Sequence, residues 1–578
     1  MAHRLLLVLV ALLLTLFTWL GGGIVASWLS PWALWMALLT AEVLLLLPEQ
    51  RRSESLFDAR KRVWRGLLRD PLMWFAVLLM LFLSVQWLNG GTFLEWQPKT
   101  QTWQTVSPAF EALRAPEAAR HLASRPATPE TAAYLPIGKA PWPWLPSCLR
   151  SDEAFGVLNW FIPVLTALLA VKHGLGKRSK RWLGLYICAM SAVLAIAGFI
   201  QYAVGGEFLY WGRKSNAFFF ATFGYPNHAA CFFPAVMAWA MGMLLWSVEH
   251  REHTRVKPWC YAATVVLCGA AAILSGSRAG MLFTLAMVAF TALYVPVRYL
   301  GSWPTRWRVL VPLLLFLGAG VVLGTAGFRV YAMNANREAK AALAAAKTPE
   351  ARAAASNLRT YGTIPALDNV LMEIADTPWA EFFEHPMLMR SGYQGILALR
   401  QAEDHPWYGT GAWSFRWLNV RYIRADVPEE QAWLKARLGV GQANVHNDTL
   451  QFLAEHGAIG FGLMLGCVAA LCLPFLWQLL RSPAYTVSDE LTDRIWLNRI
   501  NAFYLYAFVG TSLIAVHSFI DLVFRSPACM MLYGLFFVCA PGFLLGTPKP
   551  ARPAAPASPA SPPSPPSPPA TQGTPAHA

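Results

Sequence analysis

One stretch of the chain, His446-Asn447-Asp448-Thr449-Leu450-Gln451-Phe452-Leu453-Ala454-Glu455, sets a titratable imidazole beside a run of polar groups. If it is helical, Asn447, Gln451 and Glu455 fall at i, i+4 and i+8, a polar stripe on one face. His446 then stands at the start of the helix. An imidazole that is neutral at physiological pH accepts a proton from a hydroxyl, so this is a candidate general base. A lone histidine is more often structural; these neighbours favour the chemical reading.

Four further clusters carry groups of the same kind. Phe223-Gly224-Tyr225-Pro226-Asn227-His228 breaks a helix with Pro and Gly. That break either leaves backbone groups and the Asn227 amide for a polar ligand or makes a kink that neighbouring helices satisfy. Ser275-Gly276-Ser277-Arg278-Ala279-Gly280 reads as a tight turn of small residues. The Arg278 guanidinium beside it either snorkels to lipid headgroups or grips a phosphate through its fork of donors. Arg390-Ser391-Gly392-Tyr393 leads to His405-Pro406-Trp407-Tyr408-Gly409-Thr410-Gly411, whose glycines mark a loop returning to the membrane. Arg390 and Arg400, taken alone, are ordinary surface charges. Last, His517, Asp521 and Arg525 interrupt apolar sequence, where an internal ion pair supporting the site is the preferred reading.

No Walker loop, HExxH, GxSxG or D-x-D metal pair is present. The nine cysteines are scattered, all but Cys148 in apolar segments, with the spacing of neither a zinc site nor a disulfide framework. No metal ligand set and no cofactor is expected. The inventory suits metal-free chemistry on a phosphate-bearing substrate embedded in lipid.

The elements that must position these residues follow from composition. Of 578 residues, 56% are apolar and 14% charged, with 26 Trp and 33 Phe. Soluble chains carry roughly a quarter charged residues. About twelve apolar segments approach the ~20 residues that cross a bilayer as a helix. They lie near 5–22, 24–47, 71–88, 154–171, 182–203, 217–247, 259–275, 280–297, 309–327, 457–479, 500–520 and 527–546. The expected fold class is therefore an all-α polytopic membrane protein with a helical extracytoplasmic subdomain. A soluble nucleic-acid binder is excluded, and the net charge of +15 is topological. Loop 48–70 holds Arg51, Arg52, Arg60, Lys61, Arg62, Arg65 and Arg69; loop 172–181 holds Lys172, Lys177, Arg178, Lys180 and Arg181. Short basic loops stay inside, which puts both termini in the cytoplasm and the two long loops outside. Residues 4–22 would also suit a cleaved signal peptide, but a second apolar segment follows at once and the loop parity works better with the first retained.

The organisation expected is helices one to three over 1–88, a Pro- and Trp-rich exported loop of irregular backbone over 89–153, helices four to nine over 154–327, a large exported loop over 328–445, helices ten to twelve over 446–546, and a disordered Pro/Ala/Ser tail over 547–578. Within the second loop, 335–358, 379–402 and 427–438 are helix-forming.

Taken in order, FGYPNHAA at 223–230, SGSRAG at 275–280, HPWYGTG at 405–411, HNDTLQFLAEHGAIG at 446–460 and HSFIDLVFRSP at 517–527 resemble the O-antigen ligase and polymerase superfamily. It includes lipopolysaccharide O-antigen ligases, Wzy-type polymerases and bacterial protein O-oligosaccharyltransferases. The resemblance covers about 180–545. It implies a GT-C-like inner-membrane glycosyltransferase that moves a glycan from an undecaprenyl-pyrophosphate donor to an acceptor hydroxyl, such as one on lipid A-core, at the periplasmic face and without metal. Carried over by motif, Arg278 and Arg390 bind the donor diphosphate, His446 is the general base of an inverting transfer, and Asn227, Asn447, Glu455 and Asp521 are supporting polar groups. Arginine contacts of that kind are often worth ~3–4 kcal/mol each in the transition state. Family members often carry an arginine three residues before the G-T-F of the asparagine segment; here the segment reads FFFATF at 218–223 and that position is apolar, so Arg213 or Lys214 would have to substitute. Polymerase and protein glycosyltransferase share these motifs. A lipid-linked sugar transporter would instead need midplane charges and repeated halves, and a scaffold would not need His446.

Overall fold

The computed structural model describes residues 2–20, 30–50, 53–90, 94–97, 102–105, 142, 144–149, 151–204, 220–250, 256–299, 318, 331, 334–348, 351, 386–422, 444–481 and 500–544. The described elements are mainly helical: α1 (Ala2–Trp19), α2 (Ser30–Leu46), α3 (Leu56–Leu68), α4 (Pro71–Leu88), α5 (Ser151–Gly174), α6 (Lys177–Val204), α7 (Pro226–Glu249), α8 (Pro258–Leu274), α9 (Arg278–Tyr299), α10 (Pro386–Asp404), α11 (Asp448–Arg481), α12 (Ala502–Ile520) and α13 (Pro527–Cys539). Seven of the described helices are long and apolar enough to cross a membrane, and four more apolar ones are shorter. The protein is a multi-pass, helical membrane protein. The apolar segment expected near 309–327 lies, apart from residue 318, outside the described residues, as do 427–438 and the tail 547–578.

Helix α7 is the axis: 94% of its spanning window is buried, and α6, α8, α9, α12 and α13 pack on it. Pro226 at its first turn costs no hydrogen bond, since that N–H would be orphaned anyway. A second group gathers around α5, which contacts α2, α4 and α13, while α11 lies along α4. The periphery shows large bare side chains such as Trp35, Leu81, Leu293 and Leu473. A lipid solvent leaves such residues outside at no cost, and it requires the backbone bonding to close within the helices.

Two details differ from the sequence reading. The stretch 89–153 is not irregular throughout: β1 (Leu94–Gln97) and β2 (Thr102–Thr105) pair antiparallel, Trp96 opposite Trp103. A tryptophan flanked by polar residues in each segment suits a short ribbon, and the Pro-rich composition of the whole loop hides that local pattern. Second, the basic loop 48–70 contains the helix α3, capped by Ser55, whose Oγ accepts from Asp58 N at 3.1 Å. In the large loop, residues 334–345 are helical, and α10 takes in 386–402 of the stretch expected over 379–402, whose first seven residues lie outside the described ones.

Candidate functional site

The site begins with a broken helix. At Gly457 φ is 63°, and α11 bends there. The carbonyl of Glu455 and the N–H groups of Ala458 and Ile459 lose their helical partners at the bend. Residues 406–411 supply the replacements: Gly411 N donates to Glu455 O at 2.7 Å, Ala458 N to Pro406 O at 2.7 Å and Ile459 N to Trp407 O at 3.1 Å. A side chain at Gly409 would strike the Glu455 carbonyl, and one at Gly457 would strike that of Trp407. HPWYGTG and the EHGAIG half of the histidine motif are thus one interlocked unit. Gln86 of α4 locks it from behind, donating to Tyr408 O at 2.9 Å and accepting from His456 Nδ1 at 2.8 Å.

Above the bend, α11 starts at Asp448 with Asn447 as its cap, Oδ1 accepting from Leu450 N at 3.0 Å. The expected polar stripe therefore holds for Gln451 and Glu455 but not for Asn447. A residue one position outside the helix turns its amide back onto the first turn. His446, just before the cap, has φ 56°. That left-handed conformation costs a non-glycine residue roughly 1–2 kcal/mol, and its neighbours hold it. Arg525 Nη1 donates to Asn444 Oδ1 at 2.7 Å, and Val445 N donates to Gln451 Oε1 at 3.0 Å. Gln451 Nε2 donates to Glu455 Oε1 at 2.6 Å, and Glu455 in turn lies 3.5 Å from Arg525 Nη2. The ring closes around the two residues that precede His446. Val445 itself is sealed into an apolar cluster with Leu397 and Ala398 of α10, Phe415 and Ala454.

Asp521 gathers the other motifs. It ends α12, and its Oδ1 lies 3.3 Å from His446 Nδ1. Tyr225 Oη donates to the same carboxylate at 2.8 Å, the Asn227 amide donates to Oδ2, and Leu522 N donates to Oδ1 at 2.7 Å. Burial by itself pushes the Asp521 carboxyl up. The hydrogen bond and charge of His446, then His517 and the Tyr225 hydroxyl, outweigh it and hold the group below its ordinary value. When the imidazole gives up one proton, an ionised carboxylate at Nδ1 keeps the remaining proton there and puts the lone pair on Nε2, the arrangement of a general base. His517 lies buried beside Phe283 with neither ring nitrogen hydrogen-bonded among the described residues.

The expected ion pair within His517, Asp521 and Arg525 is not what forms. Asp521 faces His446 and Arg525 faces Glu455, because the chain leaves α12 at Asp521 and passes through a 3-10 turn, Val523–Arg525, that sends the two side chains apart. Arg525 also lies 3.6 Å over the Trp413 ring, and Arg416 4.4 Å over the same ring. Burial draws the Arg525 guanidinium below its ordinary value, while Glu455 and Asp448 pull it back up. Beside this cluster is a cavity of about 270 Å³, lined mostly by apolar side chains such as Val164, Leu168, Val468 and Met530, with Asp448, Gln451, Glu455 and Arg525 among its polar lining.

Of the expected site residues, His446, Asn227 and Asp521 come together directly; Glu455 and Asn447 stand behind them. Arg278 opens α9 after the turn at Gly276, whose φ is 75°. Arg390 lies in α10, inside the stretch expected to be helical, and the helix ends at Asp404, just before HPWYGTG. The side chains of Arg278 and Arg390, like Arg213 and Lys214, are outside the described residues. Sequence reasoning missed Tyr225, Gln86 and Trp413. Gln86 carried a signal, a lone amide in an apolar span; Tyr225 lay inside a motif already singled out.

Compared with known proteins, the chain matches no family model, and no curated protein matches it.

Proposed function

We propose that the protein transfers a glycan from an undecaprenyl-pyrophosphate donor to an acceptor hydroxyl at the periplasmic face of a bacterial inner membrane, as a metal-independent, inverting glycosyltransferase of the O-antigen ligase kind. The carrying observation is the contact of His446 Nδ1 with Asp521 Oδ1 at 3.3 Å. In the proposed reaction, His446 Nε2 removes the acceptor proton as the hydroxyl oxygen attacks the anomeric carbon. The bond from that carbon to the diphosphate oxygen breaks, and the released diphosphate leaves with its charge held by Arg278 and Arg390. Asp521 keeps the imidazole in the accepting tautomer and stabilises the imidazolium that forms. The adjoining cavity, whose lining is mostly apolar, supports a substrate carried on a hydrocarbon chain.

About twelve spans, a GT-C-like arrangement and cytoplasmic termini belong to the same proposal. The lipid-linked sugar transporter is disfavoured by the polar groups collecting at helix ends and at one bend. The assembled motifs serve proton transfer and the donor, so a polymerase or a protein O-oligosaccharyltransferase would use the same chemistry.

The test is transfer from purified lipid-linked donor by the wild type and by His446→Ala. Loss of turnover with donor binding retained is expected; retained turnover overturns the general-base role. In a deletion strain, full-length chains stranded on the lipid carrier indicate a ligase or protein glycosyltransferase, and single repeats transferred normally indicate a polymerase. An unchanged glycan profile removes the transferase reading.

A further inference from the structure

Helix α3 lies between two apolar helices, α2 and α4, and contacts both as well as α5. Its residues divide into three rows. Ala59, Val63 and Leu67 are buried against the protein. Phe57, Trp64 and Leu68 are 72%, 48% and 55% exposed. At 3.6 residues per turn these three fall within roughly 40° of one another, next to the buried row. The apolar arc of α3 is therefore wider than the protein covers, and half of it is bare. Along one flank of the bare half run Lys61, Arg65 and Arg69, all exposed.

The other cations of α3 are spent inside the protein. Arg60 Nε donates to Leu46 O at 2.8 Å, closing the end of α2, and Arg62 pairs with Glu54 at 2.9 Å while donating to Glu49 O at 2.7 Å. These bonds set the roll of α3 and so decide which face is left bare. Lys61, Arg65 and Arg69 form no ion pair among the described residues, and Asp58, the acid on the same flank, accepts from Ser55 Oγ at 2.6 Å. At the corner with α4, Trp74 Nε1 donates to Leu68 O at 2.9 Å, and Trp74 is itself half exposed. The bare face of α3 thus continues into the exposed flank of an apolar helix that is long enough to cross a bilayer.

A bare apolar stripe with aromatic rings, bordered by cations and placed where a spanning helix begins, matches the headgroup boundary of a membrane. We propose that α3 is a lipid-recognition helix: Phe57, Trp64 and Leu68 sit at the headgroup–acyl boundary, and Lys61, Arg65 and Arg69 bind anionic phospholipid headgroups. The occupant is the bilayer in which the chain already resides, because no soluble partner could reach the apolar stripe without displacing lipid from the adjoining end of α4. Three cations on one flank give a preference for anionic over zwitterionic lipid that salt weakens.

The full chain reconstituted in vesicles tests this. Backbone hydrogen exchange over residues 56–68 is measured in phosphatidylcholine alone and with about 30 mol % phosphatidylglycerol, and exchange is expected to be about tenfold slower in the anionic vesicles. The Lys61→Gln/Arg65→Gln/Arg69→Gln variant, altered only at exposed positions, is expected to lose that difference, as is the wild type at high salt. Phe57→Ser/Trp64→Ser is expected to speed exchange in both membranes. Equal exchange of the wild type in the two membranes overturns the proposal. So does a triple variant that keeps the difference, or free phosphate that reproduces it over phosphatidylcholine.

Discussion

Nδ1 of His446 lies 3.3 Å from Oδ1 of Asp521, across 75 residues of chain. The carboxylate also takes the Tyr225 hydroxyl and the Asn227 amide. Three separated motifs therefore meet at one anion, and the imidazole is oriented rather than merely nearby. His446 reaches that position through a left-handed backbone held by the Arg525–Asn444 and Val445–Gln451 bonds.

Asp521→Asn is expected to disable the base without emptying the site. An amide can donate to Nδ1, which moves the imidazole proton to Nε2 and removes the lone pair. Turnover is expected to fall about 100-fold or more, with the KM for donor little changed. Single-turnover transfer from a lipid-linked donor measures it; an unchanged rate refutes the orienting role.

Gly457→Ala places a side chain at φ 63° against the Trp407 carbonyl. A loss of at least about 2 kcal/mol is expected, seen as a lower unfolding midpoint in detergent. Gly462→Ala is the control, since nothing lies within 4 Å of the added methyl; it is expected to be neutral or slightly stabilising.

Removing one member of the Arg525–Glu455 pair leaves its partner buried and uncompensated. Glu455→Gln or Arg525→Met alone is expected to cost about 3 kcal/mol. The double variant should lose less than the sum, by about 1 kcal/mol or more. Additive losses in the unfolding midpoints would show that the ring does not act as a unit.

Asp521 and Asp70 are both held low. Burial raises Asp70, but His173 at 2.6 Å and Lys172 at 2.9 Å outweigh it. A carboxyl whose folded value is depressed contributes stability above its unfolded value of about 3.9, and that contribution is lost as pH falls through the folded value. These two groups are therefore expected to leave stability flat between about pH 5 and 8 and to erode it below about pH 4. In Asp521→Asn the acid limb of the unfolding curve should be shallower; an identical limb would exclude Asp521 from the linkage.

The periodicity and length of the apolar runs were enough to place most helices: the run at 71–88 is α4 to the residue, and 259–275 differs from α8 by one position at each end. Those features depend on local hydrophobicity and on the need of a chain in lipid to close its own backbone bonds. His446 and Asn227 were legible as chemical groups for the same local reason, since Pro, Gly and polar residues stand out against apolar sequence. What the sequence could not say is which groups face one another. The partner of His446, the split of Asp521 from Arg525, and the stitching of residues 406–411 into the bend at Gly457 all join segments far apart in the chain. Such pairings are set by helix packing and by the search of each freed backbone group for a partner, and only the folded bundle brings the candidates within reach.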